Sequence, residues 1–212
     1  MTRAKFSLGV ILTACGLMTA ALIGARAANV VDEWSSVKIP PAPQLKKVTV
    51  EPKTTALLLL DFQNPICTSR PRCIATMPAM KKLLTDARAK GVMVVYSLAG
   101  KATTADILPD VAPIAGEPSV RSSVDKFAGT DLEKILAERG IRSVIVTGTA
   151  AHGAVLYTGS AAALRGMNVI VPVDGMASED PFYELATAWL LANGVGGIGQ
   201  RVSLTKTDMI AY

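Results

Sequence analysis

From Thr55 onward the apolar positions fall into two rhythms that alternate along the chain. Ala56-Leu57-Leu58-Leu59-Leu60 is an unbroken apolar run ending at Asp61, the pattern of a strand buried on both faces of a parallel sheet. Between Met77 and Lys90 the residues Met80, Leu83, Leu84 and Ala87 recur at helical spacing, and Gly91 follows as a C-terminal cap. Val92-Met93-Val94-Val95-Tyr96 predicts the next strand. From Ala99 to Lys126 the chain is rich in Gly, Pro and small residues and supports only a short strand or turn. Thr130 then offers a helix N-cap, with Glu133 placed to complete a capping box and Leu132, Ile135 and Leu136 as the inner stripe. That helix ends at Arg139-Gly140, and the remaining elements follow in turn. They are a strand over Ser143–Gly148, a helix over Ala154–Arg165 closed by Gly166, a strand over Asn168–Asp174, a helix over Pro181–Ala192 and a last strand over Arg201–Thr205.

Strands alternating with helices at this spacing predict an α/β fold, a mostly parallel six-stranded sheet with helices on both faces in a three-layer α/β/α arrangement. Ligands of such open sheets bind outside the carboxyl ends of the strands, where the order of connection reverses. Asp61, Gly148 to Ala154 and Asp174 all stand at such ends.

The N-terminus follows a different rule. Arg3 and Lys5 precede a charge-free apolar stretch, Phe6 to Gly24, and Ala25-Arg26-Ala27 supplies a small-x-small exit before Ala28. This is the layout of a secretory signal over residues 1–27, with a secreted or periplasmic product. Two alternatives stay open: a retained membrane anchor, since the stretch is close to the ~20 residues a bilayer helix needs, and a lipobox at Leu12-Thr13-Ala14-Cys15 that would acylate Cys15. With cleavage, no stable membrane span remains. Residues 28–53, with Pro40, Pro41, Pro43 and Pro52 and no sustained periodicity, read as an extended arm, and 54–212 as one domain.

Composition narrows the partners. The formal charge is +5, but removal of Arg3, Lys5 and Arg26 leaves 19 basic against 17 acidic residues, a net +2. With only 5% aromatic residues as well, no nucleic-acid partner is expected. Export also changes the reading of Cys67 and Cys73, because disulfides persist in oxidising compartments. Their segment, Cys67-Thr-Ser-Arg-Pro-Arg-Cys73, reads as a short polar loop whose Pro could bring the sulfurs within bonding range, which favours a disulfide worth about 2 kcal/mol. Two free thiols, one reactive, or a metal pair are the alternatives; a single His in the chain argues against metal.

Candidate chemistry sits at the strand ends. Asp61 at the end of a buried strand is a candidate general base, with a turn cap as the bland alternative. Gly148-Thr149-Ala150-Ala151-His152-Gly153-Ala154 is a strand-to-helix junction whose backbone N–H groups suit an anionic oxygen. Four ordered blocks, Leu57 to Gln63, Phe127 to Leu132, Ile145 to Val155 and Arg165 to Asp174, resemble the isochorismatase-like superfamily of cysteine hydrolases over about residues 54–210. The resemblance implies a six-stranded parallel sheet and hydrolysis of amide or vinyl-ether bonds in small metabolites, through an Asp, a Lys and a nucleophilic Cys. Nicotinamidases and isochorismatases are members. Asp61 keeps the Asp. The Cys slot, just before Val155, holds Ala154, whose methyl group has no lone pair to attack a carbonyl.

Counted without a gap, the Lys slot holds Arg121, with Lys126 as the alternative in a shifted alignment. Arg121 would keep the electrostatic role and lose proton transfer. Some members bind a metal through Asp and His residues after the first strand, and no His stands there, so no metal or other cofactor is expected. Gln63, Thr149, Ala150, His152 and Gly153 are candidate ligand contacts, His152 standing where the family often has Asn or Asp. Thr149 and Thr158 supply hydroxyls without an evident base, and Cys67 is excluded as nucleophile if bonded. The sequence therefore predicts an exported member that keeps a small-molecule pocket for an acid or amide but lacks cysteine-dependent hydrolysis. The alternatives are an active hydrolase using Asp61-activated water or another nucleophile, and a structural or assembly role. A homo-oligomer is expected, since this fold commonly assembles through its helices.

Overall fold

The strand pattern is realised around a central strand whose side chains divide between two cores. In the computed structural model, which describes residues 29–212, strand β2 (Thr55–Leu60) is buried at all six positions. Leu58 and Leu60 enter one apolar cluster with Val146, Leu136 and Val155, while Leu57 and Leu59 enter the other with Met80, Leu84 and Ile145. The pleat sends successive side chains to opposite faces, so an unbroken leucine run needs cover on both. The signal, membrane-anchor and Cys15 lipobox expectations fall on residues 1–28, outside the described residues. Among the described residues no helix is long and apolar enough to cross a membrane.

Two units are distinguished, Met1–Ile39 and Pro40–Tyr212. Within the first, helix α1 (Val30–Glu33) begins at Asn29, whose side chain accepts from the Val31 and Asp32 N–H groups while Asp32 accepts from the Asn29 backbone. In the second, the expected extended arm is partly a strand: β1 (Val48–Thr49) pairs in parallel with β9 (Ile210–Ala211) near the C-terminus. The Lys46 N–H also donates to the Leu204 carbonyl at 2.9 Å. Both contacts are long-range and leave no periodic trace in the sequence.

The main sheet contains β2 together with β3 (Met93–Leu98), β4 (Ser119–Arg121), β5 (Ser143–Thr149), β6 (Asn168–Pro172) and β8 (Val202–Thr205), in the order β4-β3-β2-β5-β6-β8. All neighbours are parallel, and the short β7 (Met176–Ala177) continues alongside β5. The chain moves outward from β2 through β3 to β4, then returns to the centre at β5 and moves the other way. The reversal therefore lies between β2 and β5, and the crevice at their carboxyl ends is where a ligand site belongs.

The helices are α2 (Asn64–Cys67), α3 (Pro71–Ala89), α4 (Leu132–Glu138), α5 (Leu156–Leu164), α6 (Pro181–Ala192) and α7 (Ile198–Arg201). Helix α3 starts six residues before its expected start and runs through Pro78, because Cys73, Met77, Met80, Leu84 and Ala87 form one buried stripe. The expected capping box on α4 is not formed. Asp131 occupies the N-cap, Thr130 accepts from the Leu132 N–H, and Glu133 instead pairs with Arg165 at 2.8 Å. The long helix expected from Ala154 is divided: one wide turn, Ala151–Val155, precedes α5.

Candidate functional site

Two central strands deliver the site. Leu60 at the end of β2 stands in register with Gly148 of β5 and with Ser97 of β3. Gly148 has φ +146°, and a Cβ there would lie 2.4 Å from the Leu60 carbonyl oxygen. Only glycine lets the two strands pass so closely. Directly after β2, Asp61 takes φ +58°, a left-handed conformation that Asp enters more readily than most residues. The departure from strand geometry brings its carboxylate to the crevice rather than onward along the sheet.

That carboxylate is almost wholly buried and held from two sides. Lys126 Nζ donates to Asp61 Oδ2 at 2.7 Å, and Ser97 Oγ donates to Oδ1 at 2.6 Å. Lys126 has no exposed side-chain surface, and its remaining ammonium protons go to the carbonyls of Ser122, at 3.3 Å, and Ser123. All three donors of the ammonium are therefore used, the condition under which a buried charge pair is tolerated.

Arg121, the residue in the ungapped Lys slot, does not reach Asp61. It ends the edge strand β4, where burial alternates exposed, buried, exposed, so Val120 enters the core and Arg121 stays on the solvent side, at the open rim of the crevice. Its guanidinium donates to the Gly100 carbonyl at 2.6 Å and to the Ala102 carbonyl. The cation that meets Asp61 is Lys126, which follows the irregular segment over 122–125.

A cavity of about 550 Å³ opens beside the pair, lined by Asp61, Arg70, Arg121, Thr149, Gly153 and Ala154 among others, a size that suits a small metabolite. Ala154, in the slot where the resemblance implies a cysteine, sits in the Ala151–Val155 turn and lines this wall. Ala150, joined to Thr149 by a cis peptide, also lines it.

Several proposed contacts lie elsewhere. His152 stacks on Tyr183 with ring centroids 4.2 Å apart, and its Nδ1 is 3.0 Å from Ser178 Oγ. It does not line the cavity, because the Tyr183 ring and Ser178 draw it to the outer side of the turn. Gln63 is buried and does not line the cavity: its backbone N–H donates to the Asp61 carbonyl at 2.8 Å, and it bridges to Ile107. Asp174, though at a strand end, holds the C-terminal segment by accepting from the Thr207 N–H and hydroxyl at 2.8 and 2.9 Å.

The alternative nucleophiles are also engaged. Thr158 Oγ1 accepts from the Lys126 N–H and donates to the Val124 carbonyl, both at 3.2 Å. Cys67 is fully buried and bonded to Cys73. Their segment is not a free loop but the junction of α2 and α3. No group of His, Cys, Asp and Glu residues suited to a metal occurs among the described residues.

Sequence reasoning passed over Ser97 and Arg70. Ser97 carried one signal, a hydroxyl directly after an apolar strand run. Arg70 carried none beyond lying between two cysteines.

The parallel sheet with its reversed strand order has counterparts among known proteins. The isochorismatase domain model matches residues 55–198, more than half of the chain. The chain belongs to the isochorismatase family. A curated relative, the secreted isochorismatase effector Isc1 of Verticillium dahliae, is 26% identical over 160 residues, 69% of this chain and 81% of its own. Among solved isochorismatase-like structures, a cysteine hydrolase from Pseudomonas syringae superposes with a TM-score of 0.68 at 20% identity, covering 79% of this chain and 95% of that one. N-carbamoylsarcosine amidase from Thermoplasma acidophilum gives 0.62 at 22% identity, with coverage of 73% and 97%. At these identities the likeness to the isochorismatase-like structures establishes the fold.

Proposed function

We propose that this protein is an exported isochorismatase-family member that binds a small acid or amide without performing cysteine-dependent hydrolysis. The observation that carries the reading is Ala154 on the cavity wall beside an Asp61–Lys126 pair that is complete. Covalent acyl transfer needs a nucleophile at that wall, and a methyl group supplies none. Lys126 and Ser97 each donate to one Asp61 oxygen, which fixes the carboxylate in place beside the cavity. The name of the Verticillium relative, a secreted effector, supports export, as does the signal layout of residues 1–27.

The test is hydrolysis of a panel of small amides, nicotinamide included, and of isochorismate, by the wild type and by Ala154→Cys. Wild-type turnover is expected to lie at least about 100-fold below that of the cysteine variant. Ligands are to be scored in parallel by melting shift. Wild-type turnover at ordinary enzymatic rates, about 1–10³ s⁻¹, and unaffected by Asp61→Asn, would overturn the reading.

A further inference from the structure

The charges around the cavity do not balance. Its ionic lining consists of Asp61, Arg70 and Arg121, and Lys126 already neutralises Asp61 from behind. Two guanidinium groups are left. Arg121 is held by two backbone carbonyls, which fix its direction and leave its charge in place. Arg70 is about a quarter exposed at the side chain and donates from one Nη to Thr149 Oγ1 at 3.1 Å. Glu179, at 3.7 Å from its Nε and half exposed, is its only carboxylate neighbour among the described residues and does not line the cavity. Planar guanidinium forks over a concave wall are matched by the oxygens of a carboxylate or phosphate.

Arg70 also has an unusual seat. It lies midway between Cys67 and Cys73, whose Cα atoms are 5.2 Å apart and whose side chains are fully buried. Its N–H donates to the Cys67 carbonyl at 2.9 Å, and its own carbonyl accepts from the Cys73 N–H at 2.8 Å. Pro71 follows as the first residue of α3. The crosslink thus ties both feet of the turn whose apex is Arg70, removing freedom that a long side chain on an open turn would lose again on binding a ligand.

We propose that the cavity selects a small oxyanion, anchored by Arg70 and Arg121, and that the Cys67–Cys73 disulfide serves to position Arg70 for it. This rests on the reading of the cavity as a small-molecule pocket, and it adds the ligand's charge and a function for the crosslink.

The probes are acid and amide pairs of matched shape, benzoate with benzamide and succinate with succinamide, titrated calorimetrically. Inorganic phosphate serves as competitor. The wild type is expected to bind an acid at least about tenfold more tightly than its amide, a difference of about 1.4 kcal/mol. Arg70→Gln and Arg121→Gln should each remove most of that preference, acid affinity falling several-fold further than amide affinity, while Arg70→Lys restores part of it. Displacement by phosphate below the acid's concentration identifies a phosphoryl ligand, and its failure a carboxylate; both keep the oxyanion site.

Cys67→Ala/Cys73→Ala, shown folded by circular dichroism, should lose at least about threefold in acid affinity alone. If that variant does not fold, wild-type protein reduced under native conditions takes its place. Full acid affinity without the crosslink would overturn the positioning role. Equal affinity for acid and amide would overturn the oxyanion site yet leave the pocket standing, whereas binding of neither at millimolar concentration would remove the pocket reading itself.

Discussion

Replacing Lys126 with Met keeps most of the buried stem and removes the charge, so the change isolates the ion pair from packing. Three contacts vanish: the 2.7 Å bond to Asp61 Oδ2 and those to the carbonyls of Ser122 and Ser123. Asp61 retains only the Ser97 hydroxyl, leaving a carboxylate 7% exposed at its side chain and without a counter-charge. Breaking a buried pair on one side costs about 3–5 kcal/mol, a large share of the 5–15 kcal/mol typical of a folded domain. At about 2–4 °C per kcal/mol for a chain of this size, melting should fall by about 6–20 °C.

Asp61→Asn is the milder partner. Asn accepts the left-handed backbone that Asp61 adopts, and Lys126 keeps its two carbonyl acceptors, so about 1–3 kcal/mol is expected. The double variant should cost less than the sum of the singles by about 2 kcal/mol, because neither charge is then stranded. Denaturant titration of all four proteins measures this. A loss under about 1 kcal/mol for Lys126→Met, or strict additivity in the double variant, would refute the Asp61–Lys126 pair as the organising contact of the site.

Gly148→Ala should destabilise by about 2 kcal/mol or more and disturb the cavity, since the new methyl would meet the Leu60 carbonyl at 2.4 Å; denaturant midpoints read this, and a neutral result would reject the close β2–β5 approach. Thiol titration of the unfolded, unreduced protein should find neither Cys67 nor Cys73 free, and Cys67→Ala/Cys73→Ala should lose about 2 kcal/mol. Burial pushes the Tyr96 phenol above its ordinary value, and burial with Asp86 nearby pushes Tyr212 up to about 12. Both groups hold their protons more tightly folded than unfolded, so their contribution is complete below about pH 10 and declines as the pH rises through 10 to 12. Stability measured across that window should fall more steeply for the wild type than for Tyr212→Phe.

Local pattern carried the strands and their ends. The leucine run before Asp61 and the Ser143–Gly148 strand are properties of a few consecutive residues, and both elements form with boundaries within about two residues of those the pattern indicates. The choice between Arg121 and Lys126 was of another kind. The two are five residues apart in a segment without periodicity, and only the alternation of the edge strand β4 and the turn after it decide which cation faces inward. His152 stood in the right segment, but the ring of Tyr183, on a helix far along the chain, decides its direction. Ser97 and Arg70 join the site through strand register and through a helix junction, relations between distant segments that no short window contains.

By itself the sequence determined the alternation of buried strands and covering helices, the position of the reversal-end carboxylate Asp61 and the methyl group of Ala154 in the turn after β5. These follow from side-chain chemistry and from backbone periods of 2 and about 3.6 residues, which are local. The tertiary structure decided which charges meet. Pairing Lys126 with Asp61, leaving Arg70 and Arg121 over the cavity and turning His152 away all depend on strand order and register, set by packing against both faces of the sheet. A charge is costly to bury unless a partner lies within a few ångströms, so the selection of partners belongs to the assembled fold and not to any stretch of the chain.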